Sequence, residues 1–237
     1  MKINDSFLVS QEGLSRRKFL GASLAGTAAS LIGAASSAFV APELAFAQSN
    51  LSPDEALKTL MDGNARFVAG NITSDAKDLQ ILREHTVEKQ EPFAAVLSCA
   101  DSRVPVELIF DQTIGHVFLV RVAGNIATSE IIASLEYGAA VLGTKVIVVL
   151  GHASCGAVKA AIQGKEVPGQ ISALFPHLQD AVDHAGPDLV ATTKANATNQ
   201  AALLSKASTV LAPMVKEGKL KIVAAHYDLA SGKVTLV

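Results

Sequence analysis

The sequence predicts an α/β fold, a mostly parallel β-sheet flanked by helices, on three observations. Four short runs, Pro92–Ser98, His116–Val122, Lys145–Leu150 and Leu220–His226, are apolar along almost their whole length. Strands of that kind are buried on both faces, as parallel strands are, whereas a half-exposed antiparallel strand alternates. The stretches between them carry helical rather than twofold periodicity. At 237 residues, with 49% hydrophobic residues, the chain is long enough for one sizeable domain of this class. No internal repeat interrupts the alternation.

The elements follow in order. Ser52, Pro53 and Glu55 form a helix-start signature, and Ala56, Leu57, Leu60, Ala65, Phe67 and Val68 supply the apolar face of a first helix. A second helix is expected over much of Asp75–Lys89. After strand Pro92–Ser98 come a short helix near Pro105–Phe110, strand His116–Val122, helix Thr128–Leu142 and strand Lys145–Leu150. Helices are then expected over Cys155–Gln163, Ile171–His184 and Asp188–Lys216, before strand Leu220–His226 and a final strand over Lys233–Val237.

The formal net charge of −2 and pI near 6.3 give no long-range attraction for nucleic acid or an anionic membrane, and neither is an expected partner. The N-terminus reads as a targeting segment. Ser15, Arg16, Arg17, Lys18, Phe19 and Leu20 resemble a twin-arginine export consensus, a weakly apolar stretch follows, and Ala45-Phe46-Ala47 offers a small-x-small cleavage site. Residues 1–47 are therefore expected to be a signal peptide cleaved after Ala47, leaving a periplasmic catalytic domain over 48–237. The run from Phe19 to Val40 is long enough for a membrane anchor, but its Gly, Ser and Thr content argues against a stable one after processing.

The chain's two cysteines stand in "SCADSR" and "GHASCG", each just after a predicted strand and just before a predicted helix. Ligands of open α/β sheets bind outside the carboxyl ends of the strands, so two strand tips can build one site there. Cys99, His152 and Cys155 are three good zinc ligands, and three protein ligands with a fourth position free is a catalytic rather than a structural pattern. Asp101 is the candidate for the fourth position, either on the metal or paired with Arg103 and facing a bound water. On cysteine count alone an exported protein favours a disulfide. Twin-arginine export carries folded proteins, which lets metal hold both thiolates before oxidation.

These residues lie in a segment that closely resembles the β-class carbonic anhydrases. The resemblance rests on "CADSRVPVELIF" (Cys99–Phe110), "VFLVRVAGN" (Val117–Asn125), "ASLEYGAAVLGTKVIVVLGHASCGAVKAA" (Ala133–Ala161) and, more weakly, the opening helix. It implies one Zn²⁺ per chain on Cys99, His152 and Cys155, with Asp101 and Arg103 as a catalytic dyad in which the arginine keeps the aspartate off the metal. Asp101 swings onto the metal in the family's inactive form. Gln90 and the backbone N–H of Gly156 match substrate-binding positions. Phe118, Ala123 and Tyr137 match pocket positions, some of them contributed across a dimer interface, and Ala123 stands where several relatives carry valine. Without the resemblance, Phe118 and Tyr137 would be read as packing residues. One subgroup of the family also has a regulatory bicarbonate pocket built from a tryptophan, an arginine and a tyrosine. Arg121 and Tyr137 match two of its positions, and Val96 stands at the third.

The resemblance thus implies reversible, zinc-dependent hydration of carbon dioxide to bicarbonate and a proton by a homodimer or higher homo-oligomer. Two other readings stay open at this point: a zinc hydrolase of carbon disulfide or carbonyl sulfide on the same scaffold, and a non-enzymatic binding module stapled by a Cys99–Cys155 disulfide.

Overall fold

The computed structural model describes residues 49–74 and 86–237. The expected signal peptide and most of the expected helix over Asp75–Lys89 lie outside the described residues. Residues 86–90, at its end, are not helical.

Five strands form a single sheet: β1 (Ala94–Ser98), β2 (Val117–Arg121), β3 (Val146–His152), β4 (Lys221–Tyr227) and β5 (Val234–Leu236), in the order β2-β1-β3-β4-β5. The first four pair in parallel. The short β5 returns antiparallel to β4, with Tyr227 opposite Val234. Every residue of β1 and β3 is buried, as their unbroken apolar sequences require. Helices α1 (Pro53–Val68) and α2 (Val106–Ile109) cover one face, where Leu60, Ile109 and Phe110 pack on Val96 and Val148. On the other face lie α3 (Ser129–Glu136), α6 (Leu189–Ala207) and α7 (Leu211–Lys216), where Leu135, Leu204 and Leu211 pack on Leu97 and Val149. Among the described residues, no helix is long and apolar enough to cross a membrane.

The first helix begins as its sequence dictates. The Glu55 amide donates to Ser52 Oγ at 3.3 Å and Glu55 Oε2 accepts from the Ser52 amide at 2.8 Å, a complete capping box. Halfway along α1, Gly63 faces the chain just after α2. A Cβ at this position would stand 1.8 Å from the Phe110 carbonyl oxygen, which is backbone and cannot swing away. Gly63→Ala is therefore expected to destabilise the fold by about 3 kcal/mol, the upper end of the usual overpacking cost. Urea unfolding checks this, and a midpoint equal to that of the parent protein would show that α1 does not pack here as described.

Three boundaries differ from the sequence expectation. The helix over Thr128–Leu142 ends in a π-helical turn, Tyr137–Val141. The segment Ile171–His184 is a 3₁₀ turn, Gly169–Leu174, running into α5 (Phe175–Ala185). The helix expected over Asp188–Lys216 is two, α6 and α7. Ser208 is extended between them, and its Oγ accepts the amides of Val210 and Leu211 at 3.2 and 2.9 Å. Pro213 gives the reason: a continuous helix would set its ring against the carbonyl of Thr209 and leave that carbonyl without a donor.

Candidate metal and catalytic centre

The β1 strand ends at Ser98, which puts Cys99 on the first residue beyond the sheet. His152 is the last residue of the neighbouring β3, and Cys155 is the N-cap of α4 (Gly156–Gln163). The β3–α4 connection is therefore only Ala153 and Ser154, closed by a left-handed Ser154 at φ 56°. This tight turn returns Cys155 towards Cys99 across the β1–β3 pair. The two sulfurs and a His152 ring nitrogen all lie within 4.8 Å of one another, and all three residues are buried. Neither cysteine is in a disulfide.

The protonation pattern suits a cation. His152 Nδ1 lies 2.9 Å from the Ala153 carbonyl, which can only accept, so Nδ1 carries the proton and Nε2 the lone pair. Nε2 is buried and has no hydrogen-bond partner. A buried orphan acceptor facing two thiols is costly unless something electrophilic sits among them, which is the expected state of a metal site. The hydrogen bond from Cys155 holds the Cys99 thiol below the usual thiol range, and the same contact pushes Cys155 up. Cys99 Sγ also accepts the Gly124 amide at 3.4 Å. Gly124 sits at φ +78°, a left-handed conformation that L side chains rarely adopt, so glycine suits the turn that brings its amide to the sulfur.

Asp101 borders this cluster without joining it. Its Oδ1 accepts the Arg103 amide and Nε, each at 2.9 Å, and Oδ2 accepts Nη2 at 2.7 Å. The guanidinium holds the Asp101 carboxyl well below the usual carboxylate range. Asp101 Oδ2 is 3.9 Å from His152 Nε2, too far for a hydrogen bond. Of the two placements open for Asp101 in the sequence, direct ligation and pairing with Arg103, the structure shows the second. Arg103 Nη2 also reaches the Ser154 carbonyl at 3.3 Å, tying the two site loops together.

The other expected site residues are more scattered. Gly156 opens α4 beside Cys155, is exposed, and has nothing within 4 Å of where a Cβ would stand, so its backbone faces open space. Ala123 begins the 3₁₀ turn Ala123–Asn125 that carries Gly124. Gln90 is exposed on the segment leading to β1. Phe118 and Tyr137 pack on each other, ring centroids 6.2 Å apart at 47°. Phe118 belongs with the α3-side core, whereas the cysteines pack with Ile126, Val158 and Leu178, so the aromatic pair stands apart from the cluster of its own chain. Tyr137 is 44% exposed beside β2, the edge strand. Val96 is buried on the α1 side, the opposite face from Phe118.

Sequence reasoning does not reach the Gly124 amide on Cys99, the Ser154 carbonyl on Arg103, or the bonds from Arg121 to the carbonyls of Cys99 and Asp101. The left-handed glycine in "VAGN" was the one available signal. The other two are contacts to backbone carbonyls, which leave no mark in residue type.

A parallel sheet with a Cys-His-Cys cluster at its strand tips, beside a carboxylate paired with Arg103, is an α/β fold with the donor set of a metal centre. The carbonic anhydrase family pattern matches residues 94–234. The carbonic anhydrase of Mycolicibacterium smegmatis is 37% identical over 198 residues, covering 79% of this chain and 94% of that protein. Carbonic anhydrase 2 of Mycobacterium tuberculosis is 34% identical over 201 residues, covering 79% and 94%. Among solved structures, the fold is shared with a tetrameric β-carbonic anhydrase of Sordaria macrospora (TM-score 0.61, 19% identity, 77% of this chain and 97% of that one). A β-carbonic anhydrase of Aspergillus fumigatus is also similar (TM-score 0.60, 25% identity, 67% and 84%). The chain belongs to the β-class carbonic anhydrase family, a family of enzymes.

Proposed function

We propose that the chain hydrates carbon dioxide reversibly with one Zn²⁺ per chain held by Cys99, His152 and Cys155. The observation that carries this is the buried, unpartnered Nε2 of His152 facing two sulfurs, with Asp101 ionised at the rim. Two soft thiolates and an imidazole with donor atoms within 4.8 Å of one another suit zinc. When bound, zinc supplies Lewis acidity that makes a nucleophile of water, at a higher pH than a three-histidine site would because two thiolates neutralise its charge.

The protein's own residues then set the geometry. Asp101, kept as a carboxylate by Arg103, accepts a hydrogen bond from the attacking water and turns its lone pair towards the carbon. The free amide of Gly156, in the first turn of α4, offers a donor to an oxygen of the substrate, and Gln90 a second. The apolar wall comes from Ala123 and, across a homodimer interface formed at the β2 edge, from Phe118 and Tyr137 of a second copy. The tetrameric state of the Sordaria relative supports an oligomer of this kind. The Arg16-Arg17 segment supports export to the periplasm.

The test is metal analysis of the purified protein with assays on carbon dioxide, carbon disulfide and carbonyl sulfide. About one zinc per chain and hydration of carbon dioxide above the other two are expected. A protein without zinc, or one active only on a sulfur substrate, overturns the reading.

A further inference from the structure

Arg121 is the last residue of β2 and lies opposite Ser98, the residue before Cys99. The ladder runs one step beyond the strands, with the Val122 amide donating to the Ser98 carbonyl at 3.1 Å. From this anchored end the Arg121 side chain turns along the site loop. Its Nε donates to the carbonyl of Cys99 at 2.9 Å and its Nη2 to the carbonyl of Asp101 at 2.6 Å. These two carbonyls belong to the peptide planes on either side of the Ala100–Asp101 link. A planar, always charged guanidinium bonded to both fixes the plane on each side, and with them the direction in which the Asp101 side chain leaves the backbone. That direction meets Arg103 rather than His152. The ion pair with Arg103 therefore depends on a backbone setting that Arg103 does not supply.

We infer that Arg121 is a positioning residue: by gripping the carbonyls of Cys99 and Asp101, it holds the site loop so that Asp101 faces Arg103 and stays off the metal. This rests on the reading of Cys99, His152 and Cys155 as a metal centre. Arg121 touches neither a ligand atom nor the Asp101 carboxylate in the contacts described, so its effect runs through the backbone alone.

The test uses cobalt-substituted protein titrated with thiocyanate, read from the visible absorption of the metal. In the parent protein the anion enters the open position and changes the spectrum. In Arg121→Ala, Asp101 is free to take that position, and the anion is expected to bind about tenfold or more weakly, as loss of one charge-assisted hydrogen bond implies. Adding Asp101→Asn to Arg121→Ala removes the competing carboxylate and restores the response, which a general loosening of the site would not do. An Arg121→Ala protein that binds thiocyanate like the parent, or a double variant that fails to recover, overturns the inference. If Arg121→Ala takes up no cobalt, Arg121→Lys decides: its ammonium lacks the rigid planar fork that fixes both carbonyls, so weaker thiocyanate binding supports the clamp and parental binding overturns it. If the parent itself takes up no metal, the zinc reading fails instead. Amide exchange of residues 99–103 then reads the clamp directly, with exchange about tenfold or more faster in Arg121→Ala expected and unchanged exchange overturning it.

Discussion

A Cys155→Ser protein is expected to fold and to lose both its metal and its activity. Serine is close to cysteine in size and Cys155 is fully buried at the start of α4, so the turn from β3 survives the exchange. The chemistry does not survive. A serine hydroxyl stays protonated at neutral pH and is a poor zinc ligand, so the site falls from two anionic donors to one. Loss of partners that merely orient a ligand already costs about 10–100-fold in metal affinity or activity, and loss of the ligand itself is expected to exceed about 100-fold. Zinc per chain, measured beside carbon dioxide hydration and circular dichroism, checks all three parts. A folded Cys155→Ser protein with full metal and full activity would falsify the ligand assignment.

Arg103→Ala is expected to do the opposite to the metal and the same to the rate. The three ligands are untouched, so zinc stays near one per chain. Asp101 keeps the residue 103 amide but loses the Nε and Nη2 bonds, and its carboxyl moves back up towards the ordinary carboxylate range. It remains ionised at neutral pH and, standing 3.9 Å from His152 Nε2, has a short way to go to reach the metal. Activity is expected to fall by about 100-fold, in the range of a lost general acid–base contribution. Arg103 is 52% exposed, so little loss of stability should accompany it. Metal retained with activity lost separates this variant from Cys155→Ser, and an Arg103→Ala protein as fast as the parent rules out the pairing as the device that keeps Asp101 available.

Much of the fold was legible because its central strands are apolar without alternation, a pattern that only a sheet covered on both faces tolerates. The metal cluster was legible for a related reason. Each ligand lies at the tip of such a strand or three residues past it, so locating β1 and β3 located the site. The break between α6 and α7 was hidden because helical periodicity continues across Ser208, and Pro213 was the one local objection. The direction of β5 was hidden because three residues carry too little pattern to show which way they pair. Asp101 was left between two placements because sequence spacing lets it reach either partner, and only the three hydrogen bonds from Arg103 select one. Phe118 and Tyr137 were recognised by position, but their distance from the cluster of their own chain was not. That separation follows from the strand alternation that turns Phe118 to the α3 face.

The buried Asn64 in α1 has a consequence for how the chain is made. Its side-chain amide donates to the carbonyls of Ile109 and Gly232 at 3.1 and 2.9 Å, and its oxygen accepts the Val234 amide at 2.8 Å. The first of these partners is 45 residues away and the other two are 168 and 170. A nascent chain that has emerged only as far as β4 holds α1 against the sheet with the oxygen and one N–H of this amide still unsatisfied, at a cost of about 1–3 kcal/mol for each such group. Among the described elements α1 is thus the first synthesised and the last to be locked, once the segment from Asp228 to Val237 has left the ribosome.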